Sequence, residues 1–225
     1  MARVTPLPVC YVINTHVHPD HVFGNAAFGD DRPQFVGHTH LAEAMRRRAP
    51  NYLAALNRDL GEAAGGTSIV LPTLAVETTK TLDLGGRVLE LRAWPTAHTD
   101  CDLTVFDPTG KSLWLGDLAF VGHVPVVDGS LRGFLDVLKQ VKAIDARVVI
   151  PGHGRVAAWP DAIASQERYL ARLAADVREA IKAHRTLTET VDALAGERGG
   201  WLLFDAFHKR NVSAAYAELE WEEPQ

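Results

Sequence analysis

His16-Val17-His18-Pro19-Asp20-His21 places three imidazoles and a carboxylate within one short stretch of chain. Nitrogen and oxygen donors at that density form part of a metal site. They suit zinc best among the common biological metals, and iron, manganese or cobalt can occupy similar sets. The hexapeptide alone leaves the choice open. A histidine-rich surface turn or an affinity tag would lack the interposed aspartate and the apolar run ahead of it. That run, Val9 to Ile13, is rich in β-branched residues and reads as a buried strand ended by Asn14-Thr15. The motif therefore falls on a strand-to-helix loop, with Pro19 stiffening the turn and a helix beginning within His21 to Phe28. His16 and His18, on alternate positions of extended backbone, project to one side and can share an ion. Asp20 and His21, past the bend, face a neighbouring position and can serve a second.

The 225 residues suffice for one large α/β domain with a substantial core, and 47% hydrophobic with 23% charged residues is a globular, soluble composition. A net charge of -5 carries no electrostatic footprint for nucleic acid. The dense basic run Arg46-Arg47-Arg48 reads as a solvated helix face. The sequence shows neither a long apolar span nor a signal-peptide pattern, so no membrane is expected and the chain as written is cytoplasmic. Cys10 and Cys101 are too few for a disulfide framework.

Outward from the motif, Gln34 to Gly37 reads as a strand and Leu41 to Leu60 as a helical stretch interrupted at Pro50. Thr81 to Leu84 and Arg87 to Arg92 flank the hairpin turn Gly85-Gly86, and Leu103 to Phe106 pairs with Ser112 to Leu115. Leu131 to Ile144 has helical spacing behind the N-cap Ser130, and Val148 to Ile150 is a short buried strand. Beyond Pro160 the pattern is helical, with one long amphipathic stretch from Asp161 to His184 and two shorter ones after it. Three more candidate ligands stand at strand ends: His98 in Thr96-Ala97-His98-Thr99-Asp100, Asp117 after Leu113-Trp114-Leu115-Gly116, and His153 in Pro151-Gly152-His153-Gly154. Singly, each has an ordinary alternative, a solvated histidine or a helix-capping aspartate.

Taken in order, His-x-His-x-Asp-His, His98 with Thr99, Gly116-Asp117 and Pro151-Gly152-His153-Gly154 resemble the metallo-β-lactamase superfamily. The resemblance implies an α/β fold, the αβ/βα sandwich, with a metal-binding domain over residues 1–160 and a helical C-terminal extension over 161–225 packed on it. It implies two zinc ions: His16, His18 and His98 on the first, Asp20, His21 and His153 on the second, and Asp117 bridging them. Asn14 through Asn25, Gly116-Asp117-Leu118-Ala119-Phe120, Asp128-Gly129-Ser130 and Ala217-Glu218-Leu219-Glu220-Trp221 are similar to the SoxH-type branch, which includes quinoprotein relay system zinc metallohydrolases. That likeness implies a bacterial source. Its members are often exported, so a longer native chain with a signal peptide would be periplasmic.

The family normally carries several strands and a helix before the hexapeptide. Met1 to Pro8 resembles only the end of that helix and its exit loop. The expectation is a chain truncated at its N-terminus, lacking much of the first half-sheet, with the uncovered sheet favouring a homo-oligomer. The implied activity is hydrolysis of a small ester, thioester, lactone or amide by a metal-bridging hydroxide. An iron-dependent oxidoreductase on the same fold, or a metal-binding module without turnover, are the competing readings. Asp20 can orient the attacking group as well as bind metal, so Asp20→Asn should depress kcat more than it raises KM in steady-state assays. His123, in the Gly-His-Val-Pro loop, can reach substrate, although solvent exposure is its ordinary reading. Asp100 or Asp102 can accept a hydrogen bond from a ligand imidazole. Cys101 reads as a small apolar residue, and His38, His40, His184 and His208 lack a ligand-like context.

Overall fold

Two sheets meet at the motif, and the alternation of apolar residues decides which face of each is buried. The computed structural model describes residues 5–196 and 199–222. Strands β1 (Tyr11–Ile13), β2 (Gln34–His38) and β3 (Leu74–Val76) form a parallel sheet in that order. Short helix α1 (Pro19–Val22) and a 3-10 turn over Asn25–Asp31 join β1 to β2, and helix α2 (Leu41–Leu60) lies between β2 and β3. The second sheet runs β4 (Thr79–Asp83), β5 (Val88–Ala93), β6 (Leu103–Asp107), β7 (Ser112–Phe120), β8 (Val148–His153) and β9 (Ala157–Ala158). It is antiparallel throughout except for β7 with β8, which are joined through helix α3 (Leu131–Val141). Helices α4 (Ala164–Lys182), α5 (Leu187–Ala193) and α6 (Phe204–Leu219) follow.

Val36 and Val76 of the first sheet pack on Leu82, Leu91, Leu103 and Val105 of the second. The opposite face of the second sheet, through Leu113, Leu115, Phe120 and Val149, packs on Phe134 and Leu138 of α3, Leu170 and Val177 of α4, and Val212 of α6. Leu41 and Met45 of α2 close over Val17, Val22 and Cys101. The order of layers is helix, sheet, sheet, helix. Each fully buried side chain of this size contributes about 1.5–3 kcal/mol of transfer free energy.

Helix α3 begins as its sequence requires. The Ser130 hydroxyl accepts from Gly133 N at 2.9 Å and donates to Glu218 Oε1 at 2.6 Å, and the same carboxylate accepts from Leu131 N at 2.6 Å. A glutamate of α6 thus completes the cap of α3 and ties the C-terminal helix to the sheet layer.

Several expectations are corrected. Helix α2 runs unbroken through Pro50, because Pro50 and Arg46, whose carbonyl loses its partner, both stand on the exposed side. The helix after the motif starts at Pro19 itself and gives way to the 3-10 turn. Strands β3 and β9 carry too few residues to show a period. Of Met1 to Pro8, residues 1–4 lie outside the described residues, and 5–8 are not helical.

Candidate metal centre

The hexapeptide loop is clamped from beneath. Buried Asn14 donates from Nδ2 to His21 O at 2.9 Å and to Asn25 Oδ1 at 3.0 Å, and Asn25 Nδ2 returns a bond to Asn14 Oδ1 at 2.8 Å. This reciprocal amide pair joins the two ends of the loop. His18 stays extended, with φ -65° and ψ 150°, and Pro19 opens α1, which swings Asp20 and His21 past the bend. From β7, Asp117 emerges where the register with β8 slips on either side of Gly116. Gly116 has φ +51°, and a Cβ there would stand 2.5 Å from Thr15 Cβ, so only glycine lets β7 approach the motif loop this closely. A Cβ on Gly152 would collide with the Asp117 carboxylate, which makes that glycine the floor under the same side chain.

His16, His18, His98 and Asp117 offer one group of donor atoms, and Asp20, His21 and His153 a second, with the atoms of each group within 4.8 Å of one another. In the first, His18 Nδ1 lies 3.2 Å from His16 Nε2 and 3.0 Å from His98 Nε2, and Asp117 Oδ2 lies 3.6 and 3.3 Å from those two Nε2 atoms. In the second, Asp20 Oδ2 lies 3.3 Å from both His21 Nε2 and His153 Nε2. Asp117 stands between the groups, with Oδ1 3.2 Å from His21 Nε2 and Oδ2 3.4 Å from His153 Nε2. Ligands at about 2.1 Å around a tetrahedral ion stand roughly 3.4 Å from one another, which is the spacing seen. His21 Nε2 and Asp117 Oδ1 are buried without a hydrogen-bond partner despite their proximity. A cation that both atoms can reach fits that geometry.

The ring orientations have causes outside the motifs. His98 Nδ1 donates to the Val126 carbonyl at 2.7 Å, leaving Nε2 bare and turned inward. His18 is reversed: Nδ1 faces the cluster, while Nε2 lies 3.0 Å from Asp128 Oδ2, which also accepts from Arg48 at 2.5 Å. Burial holds His98 down at about 4 and His16 well below the usual imidazole range, so both are neutral. Burial also opposes charge on His21, but the adjoining Asp117 and Asp20 carboxylates outweigh it and raise the imidazole to about 9. Asp117 and then Asp20 raise His153 to about 10. Burial would raise the Asp117 carboxyl, yet His153 and His21 hold it far below the ordinary range, and the same two imidazoles, His153 foremost, do so for Asp20.

All seven sequence candidates converge, and His123 lies beside them. Its expected exposure is overturned: the ring is 9% exposed, stacked on His153 with centroids 5.0 Å apart, and its Nδ1 donates to Val124 O at 2.5 Å. Among the described residues, neither Asp100 nor Asp102 bonds the imidazole of a candidate ligand. Asp102 accepts from Thr99 N at 2.9 Å and from the Thr99 hydroxyl at 2.7 Å, shaping the His98 loop, and burial raises its carboxyl to about 7. Arg46 and Arg47 are exposed as expected of a solvated face, but Arg48 is only partly so and reaches Asp128. Cys101 is buried among apolar neighbours. The supporting roles of Asn25, Asp128, Arg48 and Val126 are not legible locally, since each acts on a partner distant in sequence.

No helix among the described residues is long and apolar enough to cross a membrane. Among solved structures, the fold is similar to a stereoselective inverting sec-alkylsulfatase from Pseudomonas sp., at 15% identity and TM-score 0.74, over 98% of this chain and 43% of that one. A metallo-beta-lactamase from Pontibacter korlensis is 22% identical at TM-score 0.58, over 75% of this chain and 71% of that one. An archaeal metallo-beta-lactamase superfamily protein from Sulfolobus tokodaii is 20% identical at TM-score 0.56, over 74% and 68%. The chain thus spans less than half the length of the alkylsulfatase. No curated protein matches it. The model of the metallo-beta-lactamase superfamily matches residues 1–153, two thirds of the sequence and all seven converging side chains, and the chain belongs to that superfamily.

Proposed function

We propose that this chain is a dinuclear zinc hydrolase of a small ester, thioester, lactone or amide. The observation that carries the reading is the pair of donor groups meeting at one carboxylate, Asp117. In this reading His16, His18 and His98 hold one ion, Asp20, His21 and His153 the other, and Asp117 both. Bound ions supply Lewis acidity and bring the pKa of a water towards neutrality. The chain's residues do the rest. The Asp20 carboxylate, 55% exposed and facing both His21 and His153, orients the attacking water, and neutral His16 and His98 offer lone pairs without a proton to displace.

The test is a panel of chromogenic esters, thioesters, lactones and amides, assayed before and after chelation. A sulfate monoester belongs in it, because the likeness to the alkylsulfatase takes in the C-terminal helices as well as the sheets. Activity should vanish with the metal and return with added zinc. Activity that persists after elemental analysis confirms metal loss would refute the reading, and iron recovered from protein made without added zinc would favour the oxidoreductase.

Asp128 is expected to tune the site without touching substrate. Asp128→Ala frees the His18 ring and leaves Arg48 uncompensated. Zinc affinity should fall about 10–100-fold by competition with a fluorescent chelator. An unchanged affinity would mean that His18 is positioned by its backbone alone.

A further inference from the structure

A separate cavity of about 830 Å³ lies among α4, α5, α6 and the strap formed by residues 199–203. Its floor is aromatic. Tyr169 and Trp201 meet edge to face at 5.9 Å, and Phe204 stacks on His208 at 4.3 Å. The polar atoms of Tyr169 and His208 are already engaged. His208 Nε2 donates to Leu194 O at 2.6 Å, the Tyr169 hydroxyl donates to His208 Nδ1 at 2.8 Å, and Asn211 Nδ2 donates to the Tyr169 oxygen at 3.0 Å. Tyr169 and His208 therefore ask for no hydrogen bond from an occupant.

Its rim carries both signs, Arg168 and Arg172 with the Asp176 carboxylate. Arg168 and Arg172 stand one turn apart on α4 and both line the cavity. Asp176 holds the Arg172 guanidinium at 2.6 Å, whereas Arg168 contacts only the Ser165 hydroxyl and meets no carboxylate among the described residues. The strap that forms the remaining wall is latched. Leu202 N donates to Gly122 O at 2.8 Å and Val124 N to Leu202 O at 3.0 Å. Leu203 is kept in the left-handed region at φ +57° with its side chain 54% exposed, a conformation that costs about 1–2 kcal/mol and persists where neighbouring contacts impose it. A preformed concavity of this size, with an aromatic floor and one cation that meets no carboxylate among the described residues, has the character of a small-molecule site.

We propose that this cavity binds a small aromatic anion, with its ring on Tyr169, Trp201 and Phe204 and its acidic group on Arg168. The site is independent of the proposed hydrolysis. The probe is naphthalene-2-sulfonate, titrated into the 225-residue chain by calorimetry, with 2-naphthol as its uncharged counterpart. Saturable binding with one site per chain is expected. Arg168→Ala, an exposed position whose replacement leaves the fold intact, should weaken the sulfonate about tenfold and leave 2-naphthol unchanged. Trp201→Ala should weaken both ligands. Asp117→Ala should weaken neither, which separates this site from the metal cluster. Absence of saturation into the millimolar range, equal binding by the Arg168 variant, or loss of binding in a folded Asp117 variant would each overturn the proposal.

Discussion

Asp117→Ala is expected to reduce the metal content from about two ions per chain to one or fewer, and turnover by about a thousandfold or more. The size of the effect follows from the geometry. Among the described residues, Asp117 is the only side chain whose oxygens stand within 3.6 Å of His16, His21, His98 and His153 together, so its loss weakens both donor groups at once. It is also the main counter-charge that keeps His21 and His153 protonated when no cation is bound. Elemental analysis of the purified variant, paired with the substrate panel, measures both consequences. A variant that retains full metal content and full turnover would show that Asp117 is not the shared ligand and that the two groups act separately.

The second large effect is expected far from the cluster. Asn211 is fully buried on α6, where Oδ1 accepts from Val127 N at 3.0 Å and Nδ2 donates to Pro125 O at 2.7 Å and to the Tyr169 hydroxyl. Asn211→Ala leaves the Val127 amide and the Pro125 carbonyl buried without partners, each costing about 1–3 kcal/mol. A total of about 3 kcal/mol should lower Tm by roughly 6–12 °C in a chain of this size. The segment between those two anchors carries the Val126 carbonyl that orients His98. Zinc affinity should therefore fall along with stability. Calorimetric melting with and without zinc separates the two. An unchanged melt would mean that water replaces the lost amide, and an unchanged affinity would mean that the His98 loop is held by Asp102 alone.

Much of the candidate site was legible because coordination chemistry demands residue types that sequence displays directly. Histidine and aspartate at the ends of apolar, β-branched runs stand out against their surroundings, and the hexapeptide shows its bend through Pro19. Ser130 as the cap of α3 was legible for the same reason: the capping bond to Gly133 spans a single turn. His123 was misread because its burial comes from Phe120, His153 and Phe207, which three separate elements bring together. Pro50 was misread because a helix tolerates a proline more readily where the freed carbonyl is open to water, and exposure is not written in local sequence.

By itself, then, the sequence determined the candidate ligand types, their order along the chain and the strands that deliver them, since each depends on a few neighbouring residues. Only the tertiary structure decided how the rings are turned and held. The His98 imidazole is set by a carbonyl 28 positions away, His18 by a carboxylate 110 positions away, and the segment bearing that carbonyl by an asparagine 84 positions from its anchor. Hydrogen bonds act over about 3 Å of space whatever the separation in sequence, so these partners become visible only once the two sheets and the C-terminal helices have packed.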